Sequence, residues 1–223
     1  MSCDLRAPGW LARHPMVGVF MVIIGGLLFG AMAYQLKTNG PLIRADIPLA
    51  SRLHAIAVES PPNVDETMTF GFFLGKEIVE IIGAMLVLYF LHKRYWPELA
   101  MVIVGLSGAA GVWFLLTRYF GRVRPEAQMG IVVHEPSFPS GHAAHAVLCF
   151  GLLAYLLLPK MPSLFWKWLL VVAAVLTILF IGFSRVFQGG HYLTDVLAGY
   201  GVGIAWAGLV YTVLETFVNK RKA

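Results

Sequence analysis

Arg122-Val123-Arg124-Pro125, Pro139-Ser140-Gly141-His142, and Ser184-Arg185 followed by His191 and Asp195 hold most of the polar chemistry of this sequence. Arginine, serine, glycine and histidine together describe an anion pocket with two histidines. His191 and Asp195 are four residues apart, so on a helix they share a face, and the carboxylate can accept a proton from one ring nitrogen. The other nitrogen is then left as a nucleophile whose tautomer and developing charge the carboxylate controls. Taken alone, the same segment also fits a locally paired Asp195 beside an interfacial aromatic His191.

Pro139-Ser140-Gly141-His142 reads as the opening of a helix, with Ser140 at the N-cap and Gly141 allowing backbone amides close to a bound oxyanion. His142, in the first turn, is placed to protonate a leaving oxygen. His145, three residues on, fits packing or a hydrogen bond within a bundle better than direct chemistry. Arg124 and Arg185 offer planar guanidinium donors that match phosphate oxygens, and Arg122 divides between that role and a lipid-facing one. Two or three arginines with backbone amides can stabilise a transferring phosphoryl group without a metal.

These residues lie at the ends of apolar runs. Of the chain's 223 residues, 58% are hydrophobic and 13% charged, the composition of a membrane protein. About 20 apolar residues cross a bilayer as a helix. Six stretches approach that length, near 16–36, 72–91, 99–117, 143–158, 164–183 and 192–215. The expected fold is therefore all-α: a six-transmembrane-helix bundle forming one domain over 1–223, with a short interfacial segment between helices 1 and 2. Ile47 to Val58, which mixes apolar residues with Arg52 and His54, suits that segment. Arg6, Arg13 and Ala31-Met32-Ala33 imitate a cleavable signal, but the first apolar run is too long for one and reads as a retained anchor.

Lys and Arg remain on cytoplasmic flanks during insertion. With the N-terminus inside, those flanks collect Arg6, Arg13, Lys93, Arg94, Lys160, Lys167, Lys220, Arg221 and Lys222. Both termini are then cytoplasmic, and all three motifs meet at the outer, periplasmic face of a bacterial-type inner membrane. The net charge of +5 is dispersed over membrane flanks, so anionic headgroups rather than nucleic acid are the expected partner. Cys3 and Cys149 fall in a tail and a span, and neither a disulfide nor a metal site is expected.

With these residues in place, the sequence resembles the type 2 phosphatidic-acid phosphatase superfamily. Its pattern runs Lys, six residues, Arg-Pro; Pro-Ser-Gly-His; then Ser-Arg, five residues, His, three residues, Asp. The chain matches the last two parts fully and Arg124-Pro125 of the first, all within 117–195. The resemblance implies a phosphohistidine mechanism in which His191 attacks phosphorus, Asp195 orients it and His142 is the general acid. It also implies that Arg124, Ser140, Gly141 and Arg185 hold the phosphate with no cofactor. The family lysine is Thr117 here. Arg118 and Arg122 are further candidates for phosphate binding, as is Lys76, for which local pairing with Glu80 or Glu77 is the preferred reading.

The expected substrate is a lipid phosphate or diphosphate: undecaprenyl diphosphate narrowly first, then phosphatidylglycerol phosphate, phosphatidate and lipid A. The rival readings are a lipid phosphotransferase, a vanadate-dependent haloperoxidase, and a non-catalytic lipid-binding or transport bundle.

Overall fold

The computed structural model describes residues 14–128 and 134–220. The expected flanking charges Arg6, Arg13, Arg221 and Lys222, and Cys3, lie outside the described residues. The elements are α1 (Pro15–Lys37), α2 (Pro41–Glu59), α3 (Pro62–Phe73), a π-helical turn (Leu74–Ile78), α4 (Val79–Lys93), α5 (Trp96–Phe120) and a short α6 (Pro125–Gln128). They continue with α7 (Gly141–Leu157), a 3-10 turn (Leu158–Lys160), α8 (Leu164–Phe187) and α9 (Leu193–Lys220). There is no strand among the described residues.

Proline opens several of these helices, occupying the first turn where a missing N–H costs nothing. Residues in the left-handed region, Arg94 (φ 56°) and Gly121 (φ 59°), end α4 and α5.

Among the described residues, five helices are long and apolar enough to cross a membrane: Met16–Lys37, Trp96–Phe120, Gly141–Lys160, Leu164–Phe187 and Leu193–Val213. They correspond to the first and the third to sixth expected spans. The second expected span, 72–91, is not one uniform apolar helix. It falls in α3, the π turn and α4, which follow one another with helical dihedrals at both junctions, and Lys76, Glu77 and Glu80 interrupt its apolar run. Large side chains such as Leu27, Leu88, Leu115, Trp168 and Leu176 point outward, 60% or more exposed, as surface facing acyl chains does.

Glycines set the packing at the centre. A Cβ on Gly25 would lie 2.5 Å from the Gly201 carbonyl oxygen, and one on Gly208 2.7 Å from that of Gly18. Thus α1 and α9 run antiparallel with their backbones in contact. Gly199 faces Ser140 and Ala143, and Gly203 faces Ala144 and Val147, so α9 runs parallel to α7. Gly75 lies against His142, and the Cys149 thiol donates to the Val79 carbonyl at 3.9 Å. The α3–α4 segment therefore follows α7 in direction. Leu148, Leu152, Val102 and Tyr211 fill the core.

This arrangement brings the C-terminal ends of α5 and α8 to the N-terminal ends of α7 and α9. Across that end, α2 packs on α8 and α9 and buries Ile43, Asp46 and Ala50.

Candidate active site

A cavity of about 750 Å³ opens at this end, and His142, His191, Arg124, Arg185 and Gly141 all line it. The three sequence segments, 73 residues apart at their extremes, thus meet at one place: Arg124 Nη1 reaches the Gly190 carbonyl (2.8 Å) and His191 Nε2 (3.3 Å), and the Ser140 amide reaches the Asp195 carbonyl.

His191 lies in the turn between α8 and α9. Gly189 takes φ 76° there, and a Cβ on Gly190 would lie 2.3 Å from Arg185 Nη2, so the glycines let the chain turn tightly over the arginine. Nδ1 of His191 is 2.8 Å from the Ser137 carbonyl. A carbonyl only accepts, so Nδ1 carries the proton, and the lone pair is on Nε2, facing Arg124. Burial pushes His191 down to about 4, with Arg124 and Arg185 adding to the effect and the neighbouring Asp195 carboxylate opposing it. The imidazole is therefore neutral at pH 7.

Asp195 stands 3.7 Å from His191 Nδ1, but not through the shared helical face expected from the spacing: α9 begins at Leu193, and His191 comes to Asp195 from the turn before it. The imidazole Nδ1–H donates to the Ser137 carbonyl, not to this carboxylate. Oδ2 of Asp195 instead accepts from the Tyr192 amide (3.0 Å) and Oδ1 from Arg122 Nη1 (2.6 Å). Asp195 acts on the ring as a charge at close range.

Arg124 is fixed by the Glu135 carbonyl (2.8 Å from Nε) as well as by Gly190. Arg185 reaches Gln188 Oε1 (3.2 Å) and lies over Phe72 at 4.6 Å, while its Nε has no partner. Trp113 Nε1 donates to the Pro139 carbonyl at 3.1 Å and its ring covers Gly141, where a Cβ would approach to 3.0 Å. Any side chain at 141 would crowd this tryptophan.

Ser140 occupies the N-cap position of α7 without capping it: its Oγ is buried and unpartnered, and its amide donates to the Asp195 carbonyl at 2.9 Å. Nε2 of His142 is likewise buried without a partner, 6.5 Å separating its ring from that of His191. His145 Nδ1 donates to the Gly141 carbonyl at 2.8 Å, the hydrogen bond within the bundle expected of it.

Two cations expected near phosphate are placed elsewhere. Arg122 is held by Asp46 (2.9 Å), Thr194 (2.8 Å) and Asp195 (2.6 Å), over the Tyr192 ring, because two buried carboxylates outcompete an open pocket for its guanidinium. Arg118 is exposed and lies on the Phe114 ring. It cannot stand in for the family lysine from there. Thr117 is buried, its hydroxyl turned back to the Trp113 carbonyl. Lys76 does line the cavity, and it pairs loosely with Glu77 (3.8 Å) rather than with Glu80.

Sequence reasoning missed Asp46, the Ser137 carbonyl and Trp113. Asp46 had a signal: a carboxylate at i+3 of Ile43 and i−4 of Ala50 sits on the apolar face of α2. Among the described residues, no three His, Cys, Asp or Glu side chains converge as metal ligands.

A family model described as the PAP2 superfamily matches residues 96–218. The chain is 32% identical over 197 residues to phosphatidylglycerophosphatase B of Bacillus subtilis, covering 78% of this chain and 91% of that protein. It is 30% identical to an undecaprenyl-diphosphatase of Sulfolobus acidocaldarius, over 67% of this chain and 69% of the other. The fold is similar to the crystal structure of a transmembrane PAP2-type phosphatidylglycerolphosphate phosphatase from Bacillus subtilis, with TM-score 0.66, 27% identity, and 87% and 94% of the two chains covered. With a family match over more than half its length and two histidines facing one cavity, this chain belongs to the PAP2 superfamily.

Proposed function

We propose that this protein is a membrane-embedded lipid phosphate or diphosphate phosphatase working through a phosphohistidine at His191. The observation that carries the reading is the cluster of unpaired polar atoms around one neutral imidazole: Ser140 Oγ, His142 Nε2 and Arg185 Nε are all buried without a partner. Such groups cost stability unless a ligand satisfies them. A phosphate has acceptor oxygens for Arg124, Arg185, the Ser140 hydroxyl and the Gly141 amide at the start of α7, where the helix dipole also favours an anion.

In the first step Nε2 of His191 attacks phosphorus, a P–N bond forms and the P–O bond to the lipid breaks. His142 protonates the departing oxygen. In the second, water attacks phosphorus, gives its proton to His142, and the P–N bond breaks to free phosphate. Asp195 stabilises the positive ring in between. The arginines supply the charge neutralisation, so no metal is needed.

The cavity continues as an apolar groove between α4 and α5, past Val79, Gly83 and Val87 on one side and Val102, Leu106 and Ala110 on the other. A groove of that lining, open toward lipid, accommodates an acyl or prenyl tail. Phosphatidylglycerol phosphate and undecaprenyl diphosphate are the two substrates to test first. Together α3, the π turn and α4 make a sixth span, since their 32 residues extend about 48 Å and run beside α7. In this reading α2 lies at the interface, and the site faces the periplasm.

Phosphate release from a panel of lipid phosphates by the purified protein tests the proposal. Wild type should release phosphate from at least one, and His191→Ala should lose on the order of 10³-fold or more in kcat. A folded His191→Ala protein with undiminished turnover would refute it.

A further inference from the structure

Asp46 belongs to no motif, lies 76 residues from Arg122 in sequence, and is 3% exposed. Its carboxylate accepts from Arg122 Nη2 at 2.9 Å, from the Thr194 amide at 3.3 Å and from the Thr194 hydroxyl. The other amine of Arg122 donates to Asp195 at 2.6 Å. One guanidinium therefore bridges two carboxylates, and the side chains of all three are 8% exposed or less.

This bridge poses an electrostatic problem that Asp46 solves. Asp195 must present negative charge to the His191 ring as phosphorus is attacked, yet Arg122 binds it more closely than the imidazole does, 2.6 Å against 3.7 Å. Paired with Arg122 alone, Asp195 would be neutralised just where its charge is used. A second carboxylate on the far side of the guanidinium leaves the trio with one net negative charge. We propose that Asp46 is a positioning residue for the reaction at His191: by neutralising Arg122 from the interfacial helix α2, it returns the charge of Asp195 to the imidazole.

The inference rests on the phosphohistidine reading above. Arg124 and Arg185 face the ring on one side and Asp195 on the other, with His142 across the cavity and Glu126 beside Gly190. Both arginines oppose a positive ring, and Asp195 is the carboxylate at close range, 3.7 Å from Nδ1. Because Asp46 sits on α2 and Asp195 on α9, the same bridge fastens the covering helix to the reacting turn.

The test uses charge counting in the full-length protein in detergent, on the lipid phosphate that wild type turns over best. Asp46→Asn brings the trio to zero net charge, and kcat is expected to fall about ten-fold with KM within about two-fold, the effect of one buried charge on a developing cation. Adding Arg122→Gln restores the single negative charge on Asp195 and leaves an amide pair in place of the ion pair. The double variant should recover to within about three-fold of wild-type kcat. A purely structural role predicts the reverse, with the double variant worse than the single one. Should Asp46→Asn fail to fold, the double variant decides alone; a folded but inactive double variant, or one that also fails to fold, overturns the proposal. His191→Ala is run alongside: if it retains turnover the phosphohistidine reading falls, whereas if it is dead and Asp46→Asn matches wild type, only the role of Asp46 falls.

Discussion

Nε2 of His191 owes its availability to a backbone oxygen. The Ser137 carbonyl, 2.8 Å from Nδ1, accepts a hydrogen bond from the ring and so holds the proton on Nδ1, and burial keeps the second proton off down to about pH 4. Nitrogen NMR of histidine-labelled protein, assigned with His191→Gln, should accordingly show His191 as the neutral Nδ1–H tautomer at pH 5.5. A doubly protonated ring at that pH would contradict the geometry. The sign for stability follows: with a folded value near 4 and an unfolded one near 6.5, the unfolded chain binds the extra proton first. This residue's contribution is complete above about pH 6.5 and is lost as pH falls toward 4. Residue types and spacing were enough to pick out His142, His191, Arg124, Arg185 and Gly141 as neighbours, because each must sit at a helix end to meet the others. They were not enough for Arg122, whose partner Asp46 is remote in sequence, nor for the Ser137 carbonyl, since main-chain acceptors leave no mark on residue identity.

The helices are placed by what their glycines lack. A Cβ on Gly201 would lie 2.7 Å from the Phe29 amide nitrogen and 2.8 Å from the Gly25 carbonyl. Neither atom can rotate away, so Gly201→Val must part α1 from α9 and should cost about 1–3 kcal/mol, read as a lower melting temperature in detergent. Gly26, one residue along α1 from Gly25, has nothing within 4 Å of a built Cβ, and Gly26→Ala should leave the melting temperature unchanged or raise it. Equal losses at both positions would mean that backbone contact does not hold this crossing. Hydropathy pointed to six spans, and five of them are uninterrupted apolar helices among the described residues, which announce themselves over 20 residues. The 72–91 stretch differs, since Lys76, Glu77 and Glu80 fall inside it where the chain turns through a π-helical segment lining the cavity. The expected segment between the first two spans is a 19-residue helix, and its buried Asp46 gives it a connection to the site that amphipathicity alone did not reveal.

At the scale of the molecule, orientation depends on which charges count. Lys37, Arg44, Arg52, Lys76 and Arg118 lie toward the site end, while Lys93, Arg94, Lys160 and Lys167 lie toward the other, and Arg6, Arg13, Arg221 and Lys222 fall outside the described residues. Arg122, Arg124 and Arg185 would upset this balance if they were loop charges. They are not: each is buried, and Arg122 is neutralised by two carboxylates. Setting them aside, the proposed orientation rests on the sequence expectation that Arg6, Arg13, Arg221 and Lys222 add to the cations at the end away from the cavity, the end that the positive-inside tendency would retain in the cytoplasm. The consequence can be measured with single cysteines in a Cys3→Ser, Cys149→Ser background, using a maleimide that does not cross the inner membrane. Arg52→Cys, exposed on α2, should label in intact spheroplasts. Lys160→Cys, exposed between α7 and α8, should label only after permeabilisation. The opposite pattern would put the histidines on the cytoplasmic side, and equal labelling of both without permeabilisation would mean that these two ends do not lie across a membrane from one another.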